Sequence, residues 1–177
     1  MEKLKILKFP DKILRQKSQN ITSIDGAVKE LSSRMLLAMK EAAGVGLAAG
    51  QVGRLQRLVV IGNLPEILEE PLILINPKIK TAEGMIAGEE GCLSFPGVAA
   101  AVRRKSKICA AFWNLDEKEM EIEAQGFLAR VIQHELDHLD GILLPDRLSF
   151  FSRQKLLQDS RGKKEAAPPL LTKNAGL

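Results

Sequence analysis

The sequence predicts an α+β fold. Strand-like runs cluster in the middle of the chain, helix-like stretches sit apart from them, and the two do not alternate as a parallel sheet requires. At 177 residues with 45% hydrophobic content, the chain can build one core, and no composition shift marks a second.

The elements read as follows. In the first ten residues charges alternate with apolar positions, which suits an opening strand or extended segment better than a signal peptide. A helix is predicted over 25–43: Asp25 can cap it, Val28, Leu31, Met35 and Met39 recur at helical spacing, and Gly44 can end it. Gly44-Val45-Gly46-Leu47-Ala48-Ala49-Gly50-Gln51 follows, made almost wholly of small residues. Residues 57–61 and 72–75 read as buried strands, the second stopped by Asn76-Pro77. A Gly- and Glu-rich loop leads to Glu90-Gly91-Cys92-Leu93-Ser94, and 98–102, 107–113 and 119–124 read as antiparallel strands. A second helix over 126–139 has a broad apolar face from Phe127, Leu128, Val131, Ile132 and Leu139, with Gly141 as its stop. Residues 148–158 form a third, and Pro168-Pro169 rules out helix beyond it. The expected organisation is a single main unit over 1–148, a basic C-terminal helix over 149–164 and a disordered tail over 165–177.

No apolar run approaches the roughly 20 residues of a membrane span. The expected location is cytoplasmic, where thiols stay reduced, so Cys92 and Cys109 are expected as ligand, nucleophile or core residue. Cys109, in a strand, suits a small buried hydrophobe better than Cys92 does. The net charge of +4 is mild and spread along the chain, which does not argue for specific nucleic-acid binding. One denser stretch, Arg153, Lys155, Arg161, Lys163 and Lys164, reads first as a solvated helix end and second as a binding patch.

The chemistry concentrates on the second helix. The chain has only two histidines, His134 and His138, four residues apart, so both imidazoles project from one face and can reach one ion. Glu135 stands beside the first, where a carboxylate can take the proton of a metal-bound water. The flanks, Val131-Ile132 and Leu139, are apolar, and burying these polar groups costs several kcal/mol unless something such as a metal compensates. Catalytic sites of this kind use three protein ligands and an open position. With no third histidine, the remaining ligand is Cys92 or one of Asp140, Asp146, Asp159 and Glu165; the pattern modestly favours Cys92, whose thiolate suits a soft divalent ion.

Three stretches, in order, resemble the peptide deformylase family: Gly44 through Gln51, Glu90 through Ser94, and Gln133-His134-Glu135-Leu136-Asp137-His138-Leu139-Asp140-Gly141. The similarity runs from Phe9-Pro10-Asp11 to about Leu148. The resemblance implies antiparallel sheets around a central helix bearing the His-Glu-x-x-His motif. It also implies removal of the N-formyl group from the initiator methionine of new polypeptides, with release of formate. It makes Cys92 the third ligand with His134 and His138, and Glu135 the base. Gln51, through its side-chain amide, and Leu93, through its backbone N–H, become donors to the oxyanion. Val45, Gly46, Glu90, Phe127, Arg130 and Val131 are assigned to the methionine pocket, with substrate lying as an added strand beside Gly46. The donor set alone suggests zinc. The resemblance implies ferrous iron, Fe(2+), as the native ion, with Zn(2+), Ni(2+) or Co(2+) able to replace it. It further suggests transient ribosome contact through the C-terminal helix.

Two departures stand out. Gly50 replaces a stiffer residue, which predicts a less preorganised Gln51, and Ala99–Ala101 predict a barer groove wall. A zinc peptidase would need a downstream carboxylate ligand and no Cys92. A non-catalytic ribosome-binding protein would use the basic helix and not Glu135.

Overall fold

The computed structural model describes residues 3–161. The expected tail over 165–177, with Lys163 and Lys164, lies outside the described residues, as does the end of the helix expected over 149–164.

Asp25 caps α1 (Gly26–Glu41) by accepting from the backbone N–H groups of Ala27 and Val28 at 3.0 and 3.1 Å. The left-handed stop is Ala43, at φ 53°, and not the expected Gly44. Gly44 has another reason to lack a side chain: a Cβ there would lie 2.6 Å from Leu93 Cδ1. Strands β1 (Gly46–Ala48), β2 (Leu58–Ile61), β3 (Leu72–Glu83), β6 (Lys107–Trp113) and β7 (Glu119–Gln125) form one antiparallel sheet in that order. β4 (Ile86–Cys92) and β5 (Phe95–Arg104) form a separate ribbon. Helix α2 (Gly126–Leu139) follows, then α3 (Phe150–Arg161), which starts two residues later than the pattern suggested. Among the described residues, no helix is long and apolar enough to cross a membrane.

Two strands depart from the expected pattern. β3 does not stop at Asn76-Pro77; the register shifts between Ile75 and Lys78 and the strand continues to Glu83. A bulge tolerates the donor that proline lacks, and Asn76, at φ 51°, uses its side chain to bond both Ile21 N and Ile21 O at 2.8 Å. The supposed Gly/Glu loop before Cys92 is strand β4, paired with β5 from Ile86↔Arg104 to Gly91↔Ala99. Ribbon pairing supplies its backbone bonds despite low strand propensity.

The sheet is covered on both faces, as the alternation of β2 shows. Val59 and Ile61 pack with Leu128, Val131, Ile132 and Leu136 of α2, while Leu58 and Val60 pack with Val28, Met35 and Met39 of α1. Helix α2 therefore lies between the sheet and the β4–β5 ribbon, with twelve of its fourteen residues buried. Gly141, at φ 70°, ends it: its N–H reaches His138 O and the Ile142 N–H reaches Asp137 O, satisfying carbonyls of the last turn. The ribbon, Leu14, Leu143 and Leu156 of α3 close a third apolar cluster that includes Cys92.

Candidate metal centre

Two elements meet at the site. Cys92 is the last residue of β4, and a register shift after Gly91 turns it at the mouth of the two-residue turn Leu93-Ser94. His134 and His138 are one turn apart on the ribbon-facing side of α2, with ring centroids 5.0 Å apart. The ligand atoms of Cys92, His134 and His138 all lie within 4.8 Å of one another, and all three residues are buried. Cys92 Sγ is 3.2 Å from His138 Nε2. His134 directs Nδ1 to Glu90 Oε2 at 2.9 Å, which leaves Nε2 to face the sulfur and fixes the ring. Burial pushes the Cys92 thiol up, but His138 and His134 outweigh it and hold the sulfur well below the usual thiol range. Burial likewise opposes charge on His134, yet Cys92 and Glu90 hold its proton well above the usual range.

Glu135 stands beside this triangle, 3% exposed, and its Oε2 is buried with no hydrogen-bond partner. An orphaned carboxylate oxygen beside one sulfur and two imidazole nitrogens is what a divalent cation with a bound water would complete, so the residues fit a metal. Burial also raises the Glu135 carboxyl, to about 6. Gly46 makes room for it: a Cβ there would lie 2.5 Å from Glu135 Oε1.

Gln51, 2% exposed, sits in a 3-10 turn (Ala49–Val52) directly after β1. Its Oε1 accepts from Ala48 N–H at 2.8 Å, and its Nε2 lies 3.2 Å from Ser94 Oγ and 3.7 Å from Cys92 Sγ. The amide is therefore held from both ends, despite Gly50. Leu93 lies in the same turn as Ser94, its carbonyl accepting from Lys8 Nζ at 2.6 Å.

The remaining expected residues divide. Val45 and Phe127, half-buried, pack on the apolar cluster that contains Val131. Glu90 and Arg130 belong to a charged cluster. Glu90, wholly buried, accepts from Arg130 Nη1, Arg104 Nε and Arg104 Nη2, each at 2.9 Å. Arg104 also donates to Asp137 at 2.6 Å, and Asp137 pairs in turn with Arg147. Sequence reasoning did not single out Arg104 or Ser94. Strand alternation signals the first: Val98, Val102 and Arg104 share the buried face of β5. Cys109 is only half-buried, with its sulfur 3.7 Å from Glu121 on β7, so it is not the core residue expected.

A helix carrying His-Glu-x-x-His against a cysteine-bearing ribbon, with a buried carboxylate held in reserve, defines a metal-dependent hydrolase. The family profile described as polypeptide deformylase matches residues 3–154. A peptide deformylase of Thermodesulfovibrio yellowstonii is 45% identical over 162 residues, covering 91% of this chain and 98% of that one. One from Endomicrobium trichonymphae is also 45% identical, covering 94% and 98%. Among solved structures, the peptide deformylase of Ehrlichia chaffeensis superposes with a TM-score of 0.87 at 33% identity, covering 92% of this chain and 97% of that one. The same enzyme in complex with actinonin gives 0.86 at 34% identity, covering 92% and 98%. The chain belongs to the peptide deformylase family, hydrolases that remove the N-formyl group from nascent polypeptides.

Proposed function

We propose that this chain deformylates new polypeptides with Cys92, His134 and His138 as metal ligands and Glu135 as general base. The observation that carries the reading is the unpartnered Oε2 of Glu135, buried beside the three candidate ligands. When bound, the divalent ion supplies Lewis-acid polarisation of the formyl carbonyl and acidifies the attacking water. Glu135 takes the proton at Oε2 and later gives it to the departing amine; with its carboxyl near 6 it is ionised at neutral pH yet basic enough to accept. Gln51 Nε2 and the Leu93 N–H donate to the developing oxyanion, and the bonds to Ala48 and Ser94 hold the amide ready for that task. Substrate backbone pairs beside β1, the edge strand of the sheet, where Gly46 permits close approach. Val45, Phe127 and Val131 supply apolar wall for the methionine thioether. Glu90 and Arg130 act beneath that wall, Glu90 by fixing the His134 ring.

The native ion in this reading is ferrous iron, with zinc, nickel or cobalt as substitutes, and the setting is cytoplasmic. Residues 1–148 form the catalytic unit. The helix beyond it offers exposed Arg153 and Lys155 to the ribosome. The test is anaerobic purification with metal analysis and a formate-release assay. One equivalent of metal and turnover of formyl-Met but not acetyl-Met peptides are expected, with both metal and activity lost in Cys92→Ala. Equal turnover of the two peptides, or metal retained without Cys92, overturns it.

A further inference from the structure

Charges that are scattered in the sequence converge in the fold. A cleft of about 870 Å³ lies along the Gln133–Asp137–Asp140 side of α2, apart from Cys92, Glu135 and the two histidines, none of which lines it. Its lining carries seven cations, from Lys17 and Arg57 to Arg103, Lys105 and Arg147, against two carboxylates, Asp137 and Asp140. The excess of five exceeds the net charge of +4 of the whole chain, so the cleft concentrates the molecule's positive potential.

The pairing inside the cleft sharpens this. Asp137 is engaged by Arg104 and Arg147, and Asp140 by Arg57 at 2.7 Å. Lys17, Lys78, Arg103 and Lys105 are exposed and have no ion pair among the described residues. The Arg103–Lys105 run is held in place: Gln133 accepts from Lys105 N at 3.0 Å and donates to Lys105 O at 2.9 Å. That clamp fixes the Lys105 backbone, while the Arg103 and Lys105 side chains on either side of buried Arg104 stay exposed.

We propose that this cleft binds the phosphodiester backbone of RNA, independently of base sequence. Cations spread along an open cleft match a chain of phosphates better than a single one, since each can neutralise a different phosphate. Among the described residues no aromatic side chain lines the cleft, which gives no stacking platform that reads or grips bases. Exposed Asn20 on the same lining offers an amide to a ribose 2′-hydroxyl, a group that inorganic polyphosphate does not have. The inference is independent of the metal chemistry, because none of the exposed cations belongs to it.

The test measures binding of a fluorescent mixed-sequence RNA of about a dozen nucleotides by anisotropy, across a salt series, on the metal-loaded full chain. Two triple variants are compared: Lys17→Ala/Arg103→Ala/Lys105→Ala in the cleft, and Lys29→Ala/Lys40→Ala/Lys118→Ala elsewhere, which removes the same charge. The cleft variant should weaken RNA binding by about tenfold or more and flatten the log–log salt slope by about 2, while the control changes little. Formate release should survive in both, which reports that they are folded. Equal weakening in the two variants, an unchanged cleft variant, or binding of inorganic polyphosphate without binding of RNA overturns the proposal.

Discussion

Two groups of buried charge occupy adjoining faces of α2, and the protein treats them in opposite ways. On one face, Arg130 and Asp137 join Glu90 and Arg104, with exposed Arg147 closing the rim, in a network where both carboxylates are claimed by guanidinium groups. On the other, His134 and His138 face Cys92, and the Glu135 carboxylate between them keeps a buried oxygen with no partner. Burying charge is expensive in both places. The first group meets the cost through its own ion pairs. The second leaves it unmet, and an unmet buried carboxylate beside soft ligands is a place where a cation and its water are stabilised. Glu90 joins the two, since one carboxylate takes both the Arg104 guanidinium and the His134 Nδ1.

The largest effect should come from breaking the unsatisfied group. Glu135→Gln keeps shape and removes the proton acceptor, so formate release should fall by about two to four orders of magnitude. Metal content should not change, because Glu135 is not among the ligands proposed. Metal loss in parallel with activity would make Glu135 a ligand and dissolve the contrast between the two faces.

Breaking the satisfied group should instead cost stability. Glu90→Gln leaves Arg104 and Arg130 buried with one carboxylate fewer, a loss of about 3–5 kcal/mol by analogy with broken buried pairs. Burial pushes the Glu90 carboxyl up, but the bonds from His134 and Arg104 outweigh it and hold it well below its ordinary value of 4.5. Its folded-state pKa is thus depressed, so its contribution is fully present above the ordinary value of 4.5 and is lost as pH falls from there towards the depressed folded-state value. Urea unfolding with the metal chelated should show the gap between wild type and variant at pH 7, and a narrower gap as the pH is taken below about 4. A gap that widens in acid would mean that the network is not what stabilises the ribbon.

How much of this was legible in the sequence follows the same division. His134, Glu135 and His138 are close in sequence on one helix, so helical geometry alone brings them together. Cys92, in contrast, stands on a ribbon more than forty residues away, and only the resemblance singled it out firmly. The satisfied network was mostly illegible, because Arg104 sits beside exposed Arg103 and Lys105 and reads as part of a solvated run. Its burial depends on the register of β5 against β4, which the Gly- and Glu-rich composition of β4 concealed. Helical spacing and end signals place the helices within a few residues, since both are local. Asn76-Pro77 reads as the end of β3 because a bulge that rescues a proline in a strand depends on partners from Ile21 and β6, far along the chain.

A smaller change probes how tightly the base is seated. In Gly46→Ala the new Cβ would lie 2.5 Å from Glu135 Oε1 and 3.0 Å from its Cγ and Cδ, so the carboxylate must move. Turnover should fall by about ten- to a hundredfold, the loss expected from a displacement near 1 Å. Thermal unfolding should show the fold retained. Unchanged kcat would mean that the site tolerates a shifted base and that the seating by Gly46 is incidental.

The smallest expected effect concerns Gly50, the departure that predicted a loose Gln51. The structure holds the Gln51 amide at both ends, through Ala48 N–H and Ser94 Oγ, so loop entropy in the folded state is already suppressed. What glycine still does is enlarge the unfolded ensemble. Gly50 lies inside the 3-10 turn without a positive φ, and a Cβ would meet nothing closer than His138 O at 3.8 Å. Gly50→Ala should therefore stabilise the protein by about 0.4–1 kcal/mol, read as a higher denaturation midpoint, with kcat unchanged. A gain in kcat larger than the gain in stability would show instead that the glycine loosens Gln51 during turnover, and that the oxyanion donor is held less firmly than its two hydrogen bonds imply.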